Sequence, residues 1–371
     1  MNLNDPRDRL QRWFALQMPN ARDVAVDALD RVIFGHSAEM LTLGLAYSDA
    51  ESRQHRDFVL RVRPEPPGLL EPYDLGRQFA ILRALESTPV PAPRVFWHET
   101  SGDVLGREFY VMERSRGVVY EGNVPADLRA APDRVRRMSE SVIRAVAAMH
   151  RLDATTLGLG SLDRGDYLEG ELAHWRDEFR RMSKDRLPAL ERLAAELGKR
   201  RPEATSTTTL VHGDAKPGNF AFEYDQVSAV FDWELARIGD PLADIGWLEY
   251  NWNTAGAITA VPGALTIDEA LAIWERDTGI VLRDREWYRA LAIFKMAVIL
   301  FVGAMLFDEG FTDDLRLASY GGAVQPLTMT ALAELGIDES IDSGPVTARP
   351  ERVNEVRAAK KVSAPIRKAS S

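Results

Sequence analysis

The sequence predicts an α+β protein in two lobes, a small antiparallel sheet carrying one helix, then a larger and mainly helical lobe. Three observations carry this. Between residues 31 and 113 the chain reads strand, strand, helix, strand, strand, the order of a hairpin-built sheet with one crossing helix. After Gly117, apolar stripes at helical spacing take over. At 371 residues the chain exceeds one ordinary hydrophobic core. The N-terminal lobe with its leading helix is assigned to 1–116 and the helical lobe to 117–345. The polar, basic stretch 346–371 reads as a disordered tail.

Taken in order, Asp5-Pro6 before RDRLQRWFALQM marks a capped amphipathic helix, because Asp accepts an orphan N–H and Pro has the φ of a first helical turn. MLTLGLAY and DFVLRVR alternate as strands on either side of the polar SDAESRQHR. YDLGRQFAILRALEST (73–88) sets Leu75, Phe79, Leu82 and Leu85 at helical spacing, and PVPAP stops it. RVFWHE and REFYVME are two more strands joined by TSGDVLG. Beyond Gly117, SVIRAVAAMHRLD, GDYLEGELAHWRDEFRRM and RLPALERLAAEL are helical, and helices dominate again after residue 240. The most apolar stretch, 287–307, is interrupted by Arg289 and Lys295. Its unbroken part, Met296–Phe307, is too short to cross a bilayer and reads as a buried helix.

Composition narrows the function. The chain is 45% hydrophobic and 27% charged with a formal charge of −10, which argues against a nucleic-acid partner needing a basic face. It has no cysteine, so disulfides, thiolate catalysis and Cys-based zinc sites are out. G-x-S-x-G, H-E-x-x-H and the G-x-x-x-x-G-K-[ST] phosphate loop are all missing, against common hydrolases and P-loop enzymes. No apolar h-region follows MNLNDPRDRL, so a cytoplasmic protein with no membrane partner is expected.

The chemistry concentrates in LVHGDAKPGNFAFEYDQVSAVFDWE (210–234). TTTLV should be a strand ending at His212. NFAFE and VSAVF should be two more, joined at Tyr224-Asp225-Gln226. Asn219 lies six residues before Asp225 and Asp232 seven after it, so an antiparallel hairpin sets them nearly opposite, about 5 Å apart at the α-carbons, within a one-residue slip. An amide oxygen and a carboxylate so placed suit Mg²⁺. Asp214, five residues before Asn219 across a Lys-Pro-Gly turn, can point into the same space. Asp214 as base, Lys216 as phosphate partner, and Asn219 and Asp232 as metal ligands form a phosphoryl-transfer constellation. Each residue alone could be a turn or cap; the spaced set is much harder to obtain by chance.

HGDAKPGN and FDWE resemble the catalytic loop and metal motif of the aminoglycoside phosphotransferase/choline kinase-like family, closest to the kinase domains fused to acyl-CoA dehydrogenases. DWELARIGDPLADIGWL (232–248), GLGSLDRGDYLEGELAHW (158–175) and VPAPRVFWHETSGDVLGREFYVMERSRG (90–117) fit the same pattern, and the likeness spans roughly 30–335. It implies a two-lobed protein-kinase-like fold that binds ATP between its lobes and moves a phosphoryl group to a small-molecule hydroxyl. By that resemblance Asp214 receives the hydroxyl proton, Asn219 and Asp232 hold Mg²⁺, Lys216 neutralises the transferred group, and His212 is structural. Phe34-Gly35-His36-Ser37-Ala38 takes the place of the phosphate-covering loop. Tyr110 to Ser115 is the hinge, meeting adenine through backbone near Glu113 and Ser115. Asp240 and Asp244, in GDPLAD, read as helix caps.

Two positions depart from the kinase pattern. Arg61 stands where a third-strand lysine holds the phosphates, and Gln78 where a helix glutamate pairs with it. Arginine can bind phosphate in a forked manner, but Gln78 cannot neutralise it, and Glu71 or Glu86 are the alternative acids. Gln78 also motivates a second reading, a pseudokinase-like binding protein without turnover. The resembled family takes aminoglycosides, choline, homoserine, sugars and hydroxyacyl thioesters, and the sequence does not choose among them. Trp175, Trp247, Tyr250, Trp252 and Trp287 are either core or cleft lining.

Overall fold

The structure is a computed structural model and describes residues 5–32, 39–163, 165–183, 187–203, 207–338, 341, 346 and 349–363. Two compact units are present: Met1–Glu65 with Pro72–Tyr167 and Ala204–Arg283, and Pro66–Glu71 with Leu168–Glu203 and Asp284–Ser371. The break expected at 116/117 therefore falls inside the first unit. Bonds far apart in sequence tie its two sides, such as Val230 N–H to Pro91 C=O at 2.8 Å.

In the first unit, α1 (Pro6–Gln17) is capped as its sequence predicts, with Asp5 accepting the Arg7 N–H at 2.9 Å. A five-stranded antiparallel sheet follows, built from β1 (Arg22–Val32), β2 (Glu39–Ser48), β3 (Arg53–Val62), β4 (Val95–Glu99) and β5 (Phe109–Glu113) in the order β1-β2-β3-β5-β4. β1 has no counterpart in the sequence reading. Its pairing with β2 shifts register twice, between Arg22 and Ala25 and between Val26 and Ala28. These bulges break the period-two pattern by which a strand is recognised. Leu10 and Phe14 of α1 pack with Val26, Leu43, Leu45, Phe58, Leu60, Val62, Phe109 and Val111. Alternation along β3 thus gives Phe58, Leu60 and Val62 to this core and turns Arg61 to the other face.

Helix α2 (Leu75–Leu85) is capped by Asp74, which accepts the Arg77 N–H at 2.8 Å. Its buried stripe is Leu75, Gln78, Ile81, Leu82 and Leu85. Phe79, expected on that stripe, instead stacks on His98 with centroids 5.2 Å apart. The short α3 (Ala126–Arg129) leads into α4 (Pro132–His150). A three-stranded sheet has the order β6-β8-β9, from β6 (Val118–Val119), β8 (Phe220–Glu223) and β9 (Gln226–Val230). β7 (Thr209–Val211) pairs with β10 (Arg237–Gly239). α7 (Leu242–Asn251) and α8 (Ile267–Thr278) follow, the latter opened by a Thr266–Glu269 capping box.

The second unit is helical: α5 (Tyr167–Met182, its first residue in the first unit), α6 (Pro188–Lys199), α9 (Arg285–Asp308), α10 (Leu315–Ala318), α11 (Gly321–Glu334) and α12 (Pro350–Ser363). α9 is long and apolar enough to cross a membrane by length and composition, and 78% of its most apolar window is buried. Its Trp287 indole donates to Leu197 C=O of α6 at 3.0 Å, and Lys295 lies 5.4 Å over the Trp175 ring. α12 corrects the expectation of a disordered tail over its own span, Pro350–Ser363; residues 364–371 of that tail lie outside the described residues. Val356 is buried with Phe307 and Leu317, and Arg352 sits 5.7 Å over the Phe307 ring. The tail supplies no aromatic of its own; α9 supplies it.

Candidate active site

β7 ends at Val211 and the next three residues turn sharply. Gly213 takes φ +79°, and a Cβ there would lie 2.7 Å from the Leu235 carbonyl oxygen, so this close approach needs glycine. His212 is fully buried. Its Nδ1 accepts the Asp214 N–H at 3.1 Å and its Nε2–H donates to Phe231 C=O at 2.8 Å. Burial holds the imidazole below its ordinary range, so it is a neutral strut, as expected. Beneath it Asp244 accepts the His212 N–H at 2.6 Å, the Gly213 N–H at 2.7 Å and His150 Nε2 at 3.1 Å. Asp244 is therefore not a helix cap. Asp240 stands one residue before the N-cap, Pro241, and accepts the Leu242 N–H at 2.9 Å.

Both oxygens of Asp214 are engaged. The Trp247 indole N–H donates to Oδ1 at 2.9 Å and the Asn219 amide to Oδ2 at 2.8 Å. The same amide nitrogen reaches the Asp214 carbonyl at 2.8 Å. Lys216 Nζ lies 3.8 Å from Asp214 Oδ2 and 3.9 Å from Glu121 Oε1. The Asp214 charge, with Glu121 behind it, holds the ammonium above the usual lysine range against the opposing pull of burial.

The hairpin brings Asp232 to this loop almost in the predicted register. Phe220 pairs with Val230 and Ala221 with Ala229, then the ladder shifts and Phe222 pairs with Val227. The turn is Tyr224-Asp225, with Gln226 already in β9. Phe231, not Asp232, therefore stands opposite Asn219, its N–H donating to the Asn219 carbonyl at 2.9 Å. Asp232 follows in the left-handed region, φ 62° and ψ 55°.

Arg61 meets this turn. Its Nη1 donates to Asp232 Oδ1 at 3.1 Å and its Nη2 to Glu234 Oε2 at 2.5 Å. Burial alone would lower the guanidinium; Glu234, Tyr110 and Asp232 hold it above its ordinary range. Asp232 balances in the opposite sense: burial pushes its carboxyl up, and Arg61 and Lys216 bring it below the usual carboxylate range. The Tyr110 hydroxyl is pushed up to about 12, chiefly by burial, and donates to Gln78 Oε1 at 3.3 Å. The acid beside Arg61 is thus Glu234, from FDWE. Glu71 accepts the Gly68 N–H and Glu86 the Val95 N–H, so neither of the two alternatives takes that place.

A profile of the phosphotransferase enzyme family matches residues 47–291. The chain belongs to this family. Acyl-CoA dehydrogenase family member 11 of Homo sapiens is 30% identical over an alignment of 290 residues that covers 73% of this chain and 36% of that protein. The chain thus spans about a third of the length of such relatives, in keeping with the resemblance drawn from its motifs. Among solved structures, a Ralstonia eutropha protein assigned as an aminoglycoside phosphotransferase superposes with a TM-score of 0.71 at 24% identity, over 89% of this chain and 98% of that one. A thermostable mutant of another aminoglycoside phosphotransferase, solved with ADP and hygromycin B, gives 0.55 at 15% identity over 88% and 98%. The fold is the kinase-like fold of these phosphotransferases, as the sequence predicts.

Other residues of this phosphotransferase-family chain fall as follows. Ser37 lies outside the described residues. In the stretch expected to be the hinge, Glu113 gives its N–H to Arg94 C=O at 2.8 Å, and its carboxylate accepts the Arg94 N–H at 3.1 Å. The Ser115 hydroxyl oxygen is buried without a hydrogen-bond partner among the described residues. Trp175, Trp252 and Trp287 are core residues; Trp247 is buried too, but turns its N–H to Asp214. Sequence reasoning missed Glu234, the function of Asp244 and this bond of Trp247. The described residues contain no group of three His, Cys, Asp or Glu side chains arranged for a metal. The hard donors are the Asn219 amide oxygen, left over once its nitrogen serves Asp214, and the Asp232 carboxylate. Two such oxygens fit Mg²⁺, which takes one or two protein ligands and completes its shell with phosphate and water.

Proposed function

We propose that the chain transfers the γ-phosphoryl group of ATP to a hydroxyl of a small molecule, using Mg²⁺, with Asp214 as the base. The observation that carries this reading is the held carboxylate of Asp214. Two N–H donors fix its rotamer, from Trp247 and Asn219, with the Lys216 ammonium alongside. Family membership supports phosphoryl transfer, and the relative solved with ADP and hygromycin B supports a nucleotide with a small-molecule acceptor. Asp214 takes the hydroxyl proton as the acceptor oxygen bonds to the γ-phosphorus and the bond to the ADP oxygen breaks. Lys216 offsets charge on the moving group, and Arg61 binds the other phosphates in its fork. Adenine rests on backbone near Glu113 and Ser115. Asn219 and Asp232 would hold Mg²⁺, which when bound supplies charge neutralisation to the phosphates. Apart from this proton transfer, catalysis is positioning and charge neutralisation.

The test is an ATP-consumption screen with Mg²⁺ across diverse alcohols, with Asp214→Asn as control. Loss of the base is expected to cost about 10²–10⁴ in rate. Transfer that survives the substitution refutes the role of Asp214. Gln78, which opened the reading of a binding protein without turnover, gives that reading less support now that Glu234 stands at Arg61.

A further inference from the structure

The hold on Arg61 divides by depth. The bond to Glu234 joins side chains 4% and 6% exposed, whereas the bond to Asp232 ends on a side chain 33% exposed. Helix α2 contributes no acid there. Gln78 is 1% exposed, takes the Tyr110 hydroxyl on Oε1, and leaves Nε2 without a hydrogen-bond partner among the described residues. Tyr110 is the ladder partner of Arg61, so α2 approaches the guanidinium through a phenol, not a carboxylate. Asp232 and Glu234 already answer the cations at hand, Arg61 at hydrogen-bond distance and Lys216 beyond it. A third carboxylate in the same dry volume would be an uncompensated buried charge, which is costly.

We infer that Glu234 is the positioning carboxylate of the phosphate-binding arginine, and that Gln78 is neutral because Glu234 already holds that place. The arginine's task rests on the proposed function; the pairing itself does not. Asp232, the more exposed of the two acids, is free to exchange Arg61 for another partner while Glu234 keeps the guanidinium aimed. Helix α2 also reaches this turn through Arg77, whose Nη2 donates to the Glu234 carbonyl at 2.8 Å.

The experiment is a urea-unfolding cycle on the full chain with Q78E, E234Q and the double variant, joined by turnover of Mg-ATP with water as acceptor. The expected result is a reversal of sign. Q78E lowers the urea midpoint in the wild-type background, where it adds a third acid, and raises it in the E234Q background, where it restores the second. A Q78E midpoint that rises in the wild type, or a shift of the same sign in both backgrounds, overturns the assignment. If E234Q does not fold, Q78E in the wild type decides alone by its sign. In turnover, E234Q is expected to lower kcat about tenfold or more, the worth of a charged hydrogen bond, with a smaller change in KM for ATP. E234D, which keeps the charge, should regain part of it. A kcat for E234Q within about twofold of wild type counts against positioning. A wild-type chain that neither hydrolyses nor transfers refutes the proposed function, and the urea cycle then still decides the pairing.

Discussion

Replacing Asp244 by alanine should destabilise the chain by about 3–5 kcal/mol, the usual loss when one partner of a buried charged network is removed. The carboxylate is 1% exposed. It receives the backbone N–H groups of His212 and Gly213 and the Nε2–H of His150, at 2.6, 2.7 and 3.1 Å. The His150 tautomer is fixed from its other side, because Nδ1 accepts the Trp274 indole N–H at 3.0 Å. Alanine leaves three donors without an acceptor, each costing about 1–3 kcal/mol when it cannot reach water, and relaxation or an entering water recovers part of the sum. Urea unfolding at neutral pH, with midpoint and slope fitted together, measures the loss. A loss below about 1 kcal/mol would refute the reasoning, because it would mean the bonds add little beyond what water supplies. The network also sets a pH signature. Burial pushes the Asp244 carboxyl up, and the bonds from His150 and the His212 backbone outweigh it, so the folded value lies below the ordinary one. Its contribution is fully present above the unfolded value of about 3.9 and is lost as pH falls through the folded value. The gap between wild type and variant should narrow below about pH 4. His212, lowered by burial, acts earlier: its contribution is complete above about pH 6.5 and declines as the unfolded chain gains a proton below it.

Two further substitutions probe the loop itself. Gly213→Ala should cost about 2 kcal/mol or more, from the left-handed backbone and from a Cβ placed 2.7 Å from the Leu235 carbonyl oxygen; a urea midpoint unchanged from wild type would show that the turn relaxes freely. Trp247→Phe keeps an aromatic ring but removes the N–H on Asp214. It should lower kcat about tenfold or more while KM for ATP holds, read by steady-state turnover, and an unchanged kcat would mean Asn219 alone orients the base.

The sequence displays what lies close together along the chain. Asp214, Lys216 and Asn219 share one turn, so their convergence was readable from spacing. Asp232 was predicted nearly opposite Asn219, one residue off by the count of six against seven, and the structure keeps that offset: the ladder irregularity between Ala221 and Phe222 makes up for the shorter turn and sets Phe231 opposite Asn219. Bulges hide in sequence because they break periodicity, and for the same reason β1 went unseen. Asp244 did leave a signal, a carboxylate beside Ile245 and Leu248 on the buried side of a short helix, where a charge requires partners. Its partners lie some thirty residues upstream and nearly a hundred, at His212 and His150, which no local pattern announces. Glu234 was hidden differently. The acid for Arg61 was sought on a helix at a fixed offset, whereas the fold delivers it from 173 residues away. The helix over Pro350–Ser363 was missed because its apolar partners belong to α9 and α10.

The left-handed backbone at Asp232 limits how this chain can lose its chemistry. Asn and Asp tolerate that conformation, whereas β-branched and bulky side chains do so only under strain. Substitution by Asn keeps size and backbone but removes the negative charge. Erosion of the motif at this position would therefore run through asparagine, yielding descendants that keep the turn while Arg61 retains only Glu234 as its anion. Shape at this turn is more durable in inheritance than charge: a relative reading FNWE would keep the backbone and lose the carboxylate that we propose as a metal ligand.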